Sequence, residues 1–318
     1  MYNGVILVDK PKGITSHDLV DRLRVLFDQR RVGHTGILDP LATGLMVMLL
    51  GKGTLFSQQL TGANKQYRAE IKFGRSTDTF DAEGKTTGEK DPGFMAIEQF
   101  EELCGKFTGR IKQLIPPFSA AKVDGQKMYE NARRGENIPE RYKEVELYEI
   151  KIVSFDWPDV TIDVTCSAGT YVRSLAHEMG QMVGCGAYLT DLIRTGIGAF
   201  KLEQAVTLRE LEKAVEINDF SMIKPLWEAM PEKPRIFVRP EYIKSIIEGR
   251  PFIKKYLSRT EYRGPGGCLS LLVDSDSKVV ALVQLNYSWG SFDRLDSRDV
   301  LGKYVRIIDE GHLRQESA

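Results

Sequence analysis

Apolar and polar positions alternate or cluster along the chain in a way that marks out short strands with helices between them. Gly4 to Asp9 is an apolar run halted by Lys10-Pro11-Lys12-Gly13, which predicts a strand and a turn. Leu19, Leu23, Leu26 and Phe27 recur at helical spacing, so a helix is expected from about Ser16, capped by Thr15 or Ser16. Residues 32 to 44 hold Gly33, Gly36, Pro40 and Gly44 and are expected to form a loop. Leu45 to Leu50 is continuously apolar, the mark of a buried strand. Tyr67, Ala69, Ile71 and Phe73 alternate with Arg68, Glu70 and Lys72, which predicts a strand with one buried face. Helical spacing covers Phe94 to Phe107. Val160 to Cys166 alternates again and runs into Gly169-Thr170-Tyr171-Val172-Arg173. Helices are expected over about 174–182 and 208–215.

Pro225, Pro231, Pro234 and Pro240 then cluster where neither helix nor central strand can continue. A boundary is expected here, giving units of 1–225 and 235–318. In the second unit, Cys268 to Val273 and Val279 to Leu285 flank Asp274-Ser275-Asp276-Ser277, a predicted hairpin. Strands and helices mix without strict βαβ alternation. The expected class is α+β, followed by a small β-rich domain.

Composition changes this picture only in part. A length of 318 residues suits one large and one small domain. Lys+Arg and Asp+Glu both number 44, so any nucleic-acid footprint has to be local. Arg22 to Arg31 carries Arg22, Arg24, Arg30 and Arg31 against Asp28. Residues 248–263 carry Arg250, Lys254, Lys255, Arg259 and Arg263 against Glu248 and Glu261. Each stretch reads equally as a solvated face. Cys104, Cys166, Cys185 and Cys268 form no C-x-x-C pair, so no zinc site is signalled. The N-terminal segment has no signal-peptide pattern, and no apolar run has the length of a membrane span. A cytoplasmic protein with reduced thiols is expected.

The stretch with most chemical promise is Gly33-His34-Thr35-Gly36-Ile37-Leu38-Asp39-Pro40-Leu41-Ala42-Thr43-Gly44. It places a carboxylate in a glycine-rich loop just ahead of a buried strand, a setting that suits a reactive group. Thr35 and Thr43 are candidates to donate to nearby backbone. On residues alone, Asp-Pro in a loop is more often a turn former than a catalytic group.

The string from His34 to Gly44 closely resembles the signature loop of the TruB family of tRNA pseudouridine synthases. Further blocks resemble the family in order: Gly4 to Gly13 with Thr15-Ser16-His17-Asp18; Lys65-Gln66-Tyr67; Gly74 to Gly84 with Asp81; Pro116 to Ala120 with Lys122 to Gly125, Tyr129 and Ala132 to Gly135; Gly169 to Leu175; and Gly184 to Ala187 with Leu192 to Thr195. The resemblance implies a mixed, largely antiparallel sheet core with helices and a T-arm-binding insertion, plus a small PUA-like C-terminal domain. It implies isomerisation of uridine to pseudouridine at position 55 in the T loop of tRNA, by base flipping. Neither cofactor nor metal is implied, and the partner is the T arm of tRNA, met by a monomer without an obligate protein partner and without a membrane.

Residue by residue, the resemblance makes Asp39 the catalytic carboxylate, attacking C6 of the base or assisting at C1′. Arg173 would keep it ionised and oriented. Tyr67 and Tyr171 would receive the flipped base, although Tyr67 shares a face with Ala69, Ile71 and Phe73 and reads equally as core. Leu192 would make an apolar contact to the base, and His34 would fill the space that it vacates. Asp81 would help to position this region. The sequence departs from the family at Leu55, where a basic phosphate contact is usual, at Phe118, where tyrosine is usual, and at Lys143-Glu144-Val145, which replaces an Arg-Pro-containing turn.

Three rival readings are weaker. Gly44 and Gly51-Lys52 have the wrong glycine spacing for a P-loop, and Gly53 follows the lysine. An aspartyl-phosphate enzyme would carry a second aspartate where Leu41 stands. A non-catalytic RNA-binding module explains the basic stretches but gives Asp39 and Arg173 no reason to meet.

Overall fold

The computed structural model describes residues 1–119, 122–123, 126–127 and 140–310. Two sheets dominate them. The larger is built from β1 (Gly4–Lys10), β2 (Val32–His34), β3 (Thr43–Leu50), β4 (Lys65–Phe73), β5 (Gly109–Leu114), β6 (Tyr142–Asp156), β7 (Asp159–Cys166) and β8 (Ala187–Ile197), with short strands at Phe200–Lys201 and Val206–Thr207. Its order is Val206–Thr207, β1, β3, β8, β4, β7, β6, β5. Neighbours are antiparallel except where β8 meets β3 and where Val206–Thr207 meets β1. The class is α+β with a largely antiparallel core, as the sequence leads one to expect.

Helices α1 (Ser16–Leu26), α2 (Ile97–Phe107), α3 (Val172–Val183) and α4 (Leu208–Glu216) accompany this sheet. Thr15 caps α1: its hydroxyl accepts from the Asp18 amide, and the Asp18 carboxylate accepts from the Thr15 amide. Leu19, Val20 and Leu23 then point into the core while Val25 faces water. Helix α3 starts at Val172, two residues earlier than periodicity suggests, which puts Arg173 in its first turn.

Residues 32–44 are not all loop. Val32 to His34 pair with β3, with the Val32 side chain buried. Three residues are too few for an alternation to show. The family-like block from Ala120 to Gly135 lies outside the described residues apart from the backbone pairing of 122–123 with 126–127.

The second sheet contains β9 (Arg235–Val238), β10 (Leu269–Val273), β11 (Val279–Leu285) and β12 (Val300–Ile307). Strands β10 and β11 form the expected hairpin across Asp274 to Ser277. Strand β9 joins it in parallel. One face of this sheet packs directly on the back of the first. Val5, Leu7, Leu45, Val47 and Leu49 share a single apolar cluster with Phe237, Leu271, Val273, Val279 and Leu282. Leu226 and Met230, from the proline-rich stretch, are buried in the same seam. Leu55 packs against it too, which accounts for an apolar side chain where a basic one was expected.

Candidate active site

The loop between β2 and β3 is fixed at several residues. Ser16 is buried, and its hydroxyl both accepts from the Leu38 amide at 2.8 Å and donates to the Leu38 carbonyl at 3.1 Å. Gly13 N–H donates to the Pro40 carbonyl at 2.8 Å, and Leu38 and Leu41 are inserted into the core. At its exit, Gly44 has φ +100°, and a β-carbon there would lie 2.5 Å from the Arg194 carbonyl oxygen. Only glycine fits this approach of β3 to β8. Asp39 is thereby presented on a loop with little freedom to move.

Arg173 meets it. Its Nε lies 2.9 Å from Asp39 Oδ2, with the arginine side chain 6% exposed and the aspartate 38%. The same guanidinium contacts Asp81 at 3.3 Å and donates to the carbonyls of Thr79 and Phe118. Phe118 thus serves through its backbone, and a missing tyrosine hydroxyl leaves this contact intact. Asp81 stands behind Arg173, where it also accepts from the Thr79 hydroxyl at 2.6 Å. A guanidinium so held sets the direction of the carboxylate beside it.

Asp39 and Arg173 line a cavity of 430 Å³ together with His34, Tyr67, Tyr171 and Leu192. That volume suits a single nucleotide base with part of its sugar. Tyr67 lies on the buried face of β4, as its alternation suggests, and its hydroxyl reaches Arg194. Burial pushes its phenol up, against the pull of Arg194. Tyr171 is pinned by Gln113, which accepts from its amide at 2.8 Å and donates to its carbonyl at 3.1 Å. Lys143 sets its ammonium 3.9 Å from the Tyr171 ring centre. His34 accepts from the Gly36 amide through Nδ1, and burial lowers its proton affinity. It is therefore a neutral ring at the cavity wall. Thr35 is not the backbone donor anticipated: its hydroxyl is buried with no hydrogen-bond partner among the described residues.

Sequence reasoning missed Arg194. It is 1% exposed, and its Nε donates to the Leu45 carbonyl at 2.7 Å. Its remaining nitrogens donate to the Ile37 and Gly36 carbonyls, the residues that lead into Asp39. The signal was an arginine inside an apolar strand, between Leu192 and Ile197. Lys65 was missed as well. It is 5% exposed, lines the cavity, and donates to the Thr61 and Ala63 carbonyls. Among the described residues no group of His, Cys, Asp and Glu side chains is placed to hold a metal ion.

Burial, reinforced by Arg194, pushes the Lys65 ammonium down to about 8 from 10.5. Between those values the unfolded chain holds more protons than the folded one. Stability from this group is therefore missing below pH 8 and is recovered as pH rises towards 10.5. The urea midpoint of the wild type is expected to gain more between pH 8 and 10 than that of Lys65→Met. Equal gains in the two proteins would show that Lys65 is not a buried cation.

Known proteins resemble this chain over most of its length. Residues 24–172 match the family model described as TruB family pseudouridylate synthase, N terminal domain. Residues 173–229 match that of the tRNA pseudouridylate synthase B C-terminal domain. The tRNA pseudouridine synthase B of Syntrophotalea carbinolica is 38% identical over 278 residues, covering 85% of this chain and 91% of that protein. Its namesake from Geobacter sulfurreducens is 41% identical over 219 residues, covering 69% of this chain and 72% of the relative. A chain in the solved structure of an H/ACA RNP bound to a substrate RNA containing 2′-deoxyuridine has the same fold. Its TM-score is 0.75 at 23% identity, over 96% of this chain and 84% of that one. The loop that carries Asp39 and the helix that begins beside Arg173 are thus embedded in matches spanning most of the sequence, and the chain belongs to the TruB family of pseudouridylate synthases.

Proposed function

We propose that this protein isomerises uridine to pseudouridine at position 55 in the T loop of tRNA, with Asp39 as the reacting carboxylate. The observation that carries the reading is the 2.9 Å contact between Asp39 and Arg173, within a cavity walled by Tyr67, Tyr171 and Leu192. The reaction breaks the C1′–N1 bond, turns the uracil and joins C5 to C1′, releasing the C5 proton. Attack by Asp39 at C6 or assistance at C1′ both need an ionised, fixed carboxylate. The bond made and the bond broken involve no net redox change.

The uridine has to leave its stack, at a cost on the order of a few kcal/mol. Stacking on an aromatic ring returns about 1–3 kcal/mol per base. Tyr67 offers that ring, Leu192 the apolar wall, and Tyr171 the edge beside Asp39. His34 fills the space the base leaves in the RNA. Asp81 orients Arg173.

The 1–225 unit supplies the chemistry, and the 235–318 unit, PUA-like in character, adds contacts to the RNA backbone. Arg259 lies over the buried ring of Phe237 and Arg263 over Trp289, so two cations of the basic stretch are held against rings. The protein works on tRNA as a single chain in the cytoplasm.

Tritium release from C5-labelled uridine in a T-arm stem-loop, without added metal or nucleotide, tests the reading. Absence of release by the wild type would overturn it. Tyr67→Ala is expected to weaken RNA binding and to lower the rate about tenfold or more, since it removes a stacking surface of about 1–3 kcal/mol. An unchanged rate would assign Tyr67 to the core alone.

A further inference from the structure

The grip on Arg173 has an unusual hinge. Thr79 and Asp81 both contact Arg173 Nη1, the first through its carbonyl at 2.9 Å and the second through its carboxylate at 3.3 Å. Phe80, between them, has φ +67°. That left-handed turn brings a carbonyl and a carboxylate two residues apart onto one nitrogen. It is a region that disfavours any residue with a β-carbon, and aromatic residues have no local hydrogen bond to offset it.

What holds Phe80 there is a ring. It stacks on His177, with centroids 3.8 Å apart and planes at 16°. His177 follows Arg173 by four residues on α3, so both side chains leave the same helical face. One residue takes the two flanks of the 79–81 turn, and the other takes its middle. The imidazole acts as a flat surface: its Nδ1 is buried with no hydrogen-bond partner among the described residues. Burial also lowers its proton affinity, which keeps the stack neutral. The Phe80 carbonyl in turn accepts from the Leu189 amide at 3.0 Å, so the turn is tied to β8 on its other side.

We propose that the Phe80–His177 stack is a positioning element for the reaction, holding Thr79 and Asp81 against Arg173 and, through Arg173, fixing the direction of Asp39. The proposal rests on Asp39 being the reacting carboxylate. Neither Phe80 nor His177 lines the cavity, so both act only through Arg173. A stack that served packing alone would affect folding stability and leave turnover of the folded protein unchanged.

The test uses the full chain and a T-arm stem-loop, at a temperature well below unfolding. His177→Ala is expected to lower kcat about tenfold with KM within about twofold, the signature of a misdirected group that does not itself bind substrate. His177→Phe restores a flat ring and is expected to recover most of kcat. Phe80→Gly removes the β-carbon and the ring together, so it frees the backbone while losing the stack. It is expected to match His177→Ala, and the double variant to lose no more than either single one. In selectively labelled protein, the Arg173 Nε–H resonance should move from a hydrogen-bonded to a solvent-like position in His177→Ala and return in His177→Phe. Wild-type kcat in folded His177→Ala, or equal losses in the Ala and Phe variants with an unmoved Arg173 resonance, would overturn the proposal. Absence of tritium release by the wild type would instead remove the isomerase reading, and the proposal with it.

Discussion

Asp39→Asn is expected to stop tritium release, with a loss of at least about 10³-fold in kcat, while T-arm RNA still binds. The amide is close in shape to the carboxylate, and its oxygen still accepts from Arg173 Nε. Asp81 remains as the guanidinium's other acidic partner. The cavity walls are unchanged, since Tyr67, Tyr171 and Leu192 are held by separate elements. What disappears is the negative charge able to attack C6 or to assist at C1′. Single-turnover tritium release and filter binding, measured on the same preparation, separate the two effects. Measurable turnover by the asparagine variant at high enzyme concentration would sink the assignment of Asp39. Lost binding with a normal rate per bound complex would make Asp39 a binding residue.

Arg173→Met is expected to damage both stability and rate. The arginine is almost wholly buried and faces two carboxylates and two carbonyls. Its removal leaves Asp81 buried without a cation, a change worth about 3–5 kcal/mol of lost stability. Asp39 loses the contact that directs it, and kcat should fall by about 10²-fold or more. The double variant Arg173→Met with Asp81→Asn separates these losses. It removes the stranded buried charge, so the denaturation midpoint should recover in large part while the rate stays low. A rate that recovers along with stability would show that Arg173 only supports the fold.

Much of the core was legible because one buried face writes itself as alternation, as at Tyr67 to Phe73. Strands β6 and β8 were not. Each carries register shifts, at Leu147/Glu149 and Ile152/Ser154 in β6 and at Leu189/Asp191 and Arg194/Gly196 in β8. A bulge reverses the inward side, so the alternation cancels over the length of the strand. Ser16 illustrates a different loss. It reads as one of two possible helix caps, but Thr15 caps α1, and the Ser16 hydroxyl is spent on Leu38, far along the chain. Spacing is blind to such partners. Asp39 and Arg173 are likewise brought together by β3, β8 and α3, and no local pattern announces it. The ordered motifs pointed to both residues. Arg194 lay within one of those motifs, yet its chemistry appears only when the Gly36 and Ile37 carbonyls are seen turned towards it.

The apolar seam between the two sheets has a thermodynamic consequence. Freeing β9 to β12 from the first sheet would wet Phe237, Leu271 and Leu282 on one side and Val5, Leu7 and Val47 on the other. Each such side chain is worth about 1.5–3 kcal/mol on transfer to water. Partial opening therefore costs an amount comparable with a typical whole-domain stability of about 5–15 kcal/mol. The two sheets are therefore expected to melt in one cooperative transition, with the stability of the first partly a property of the second.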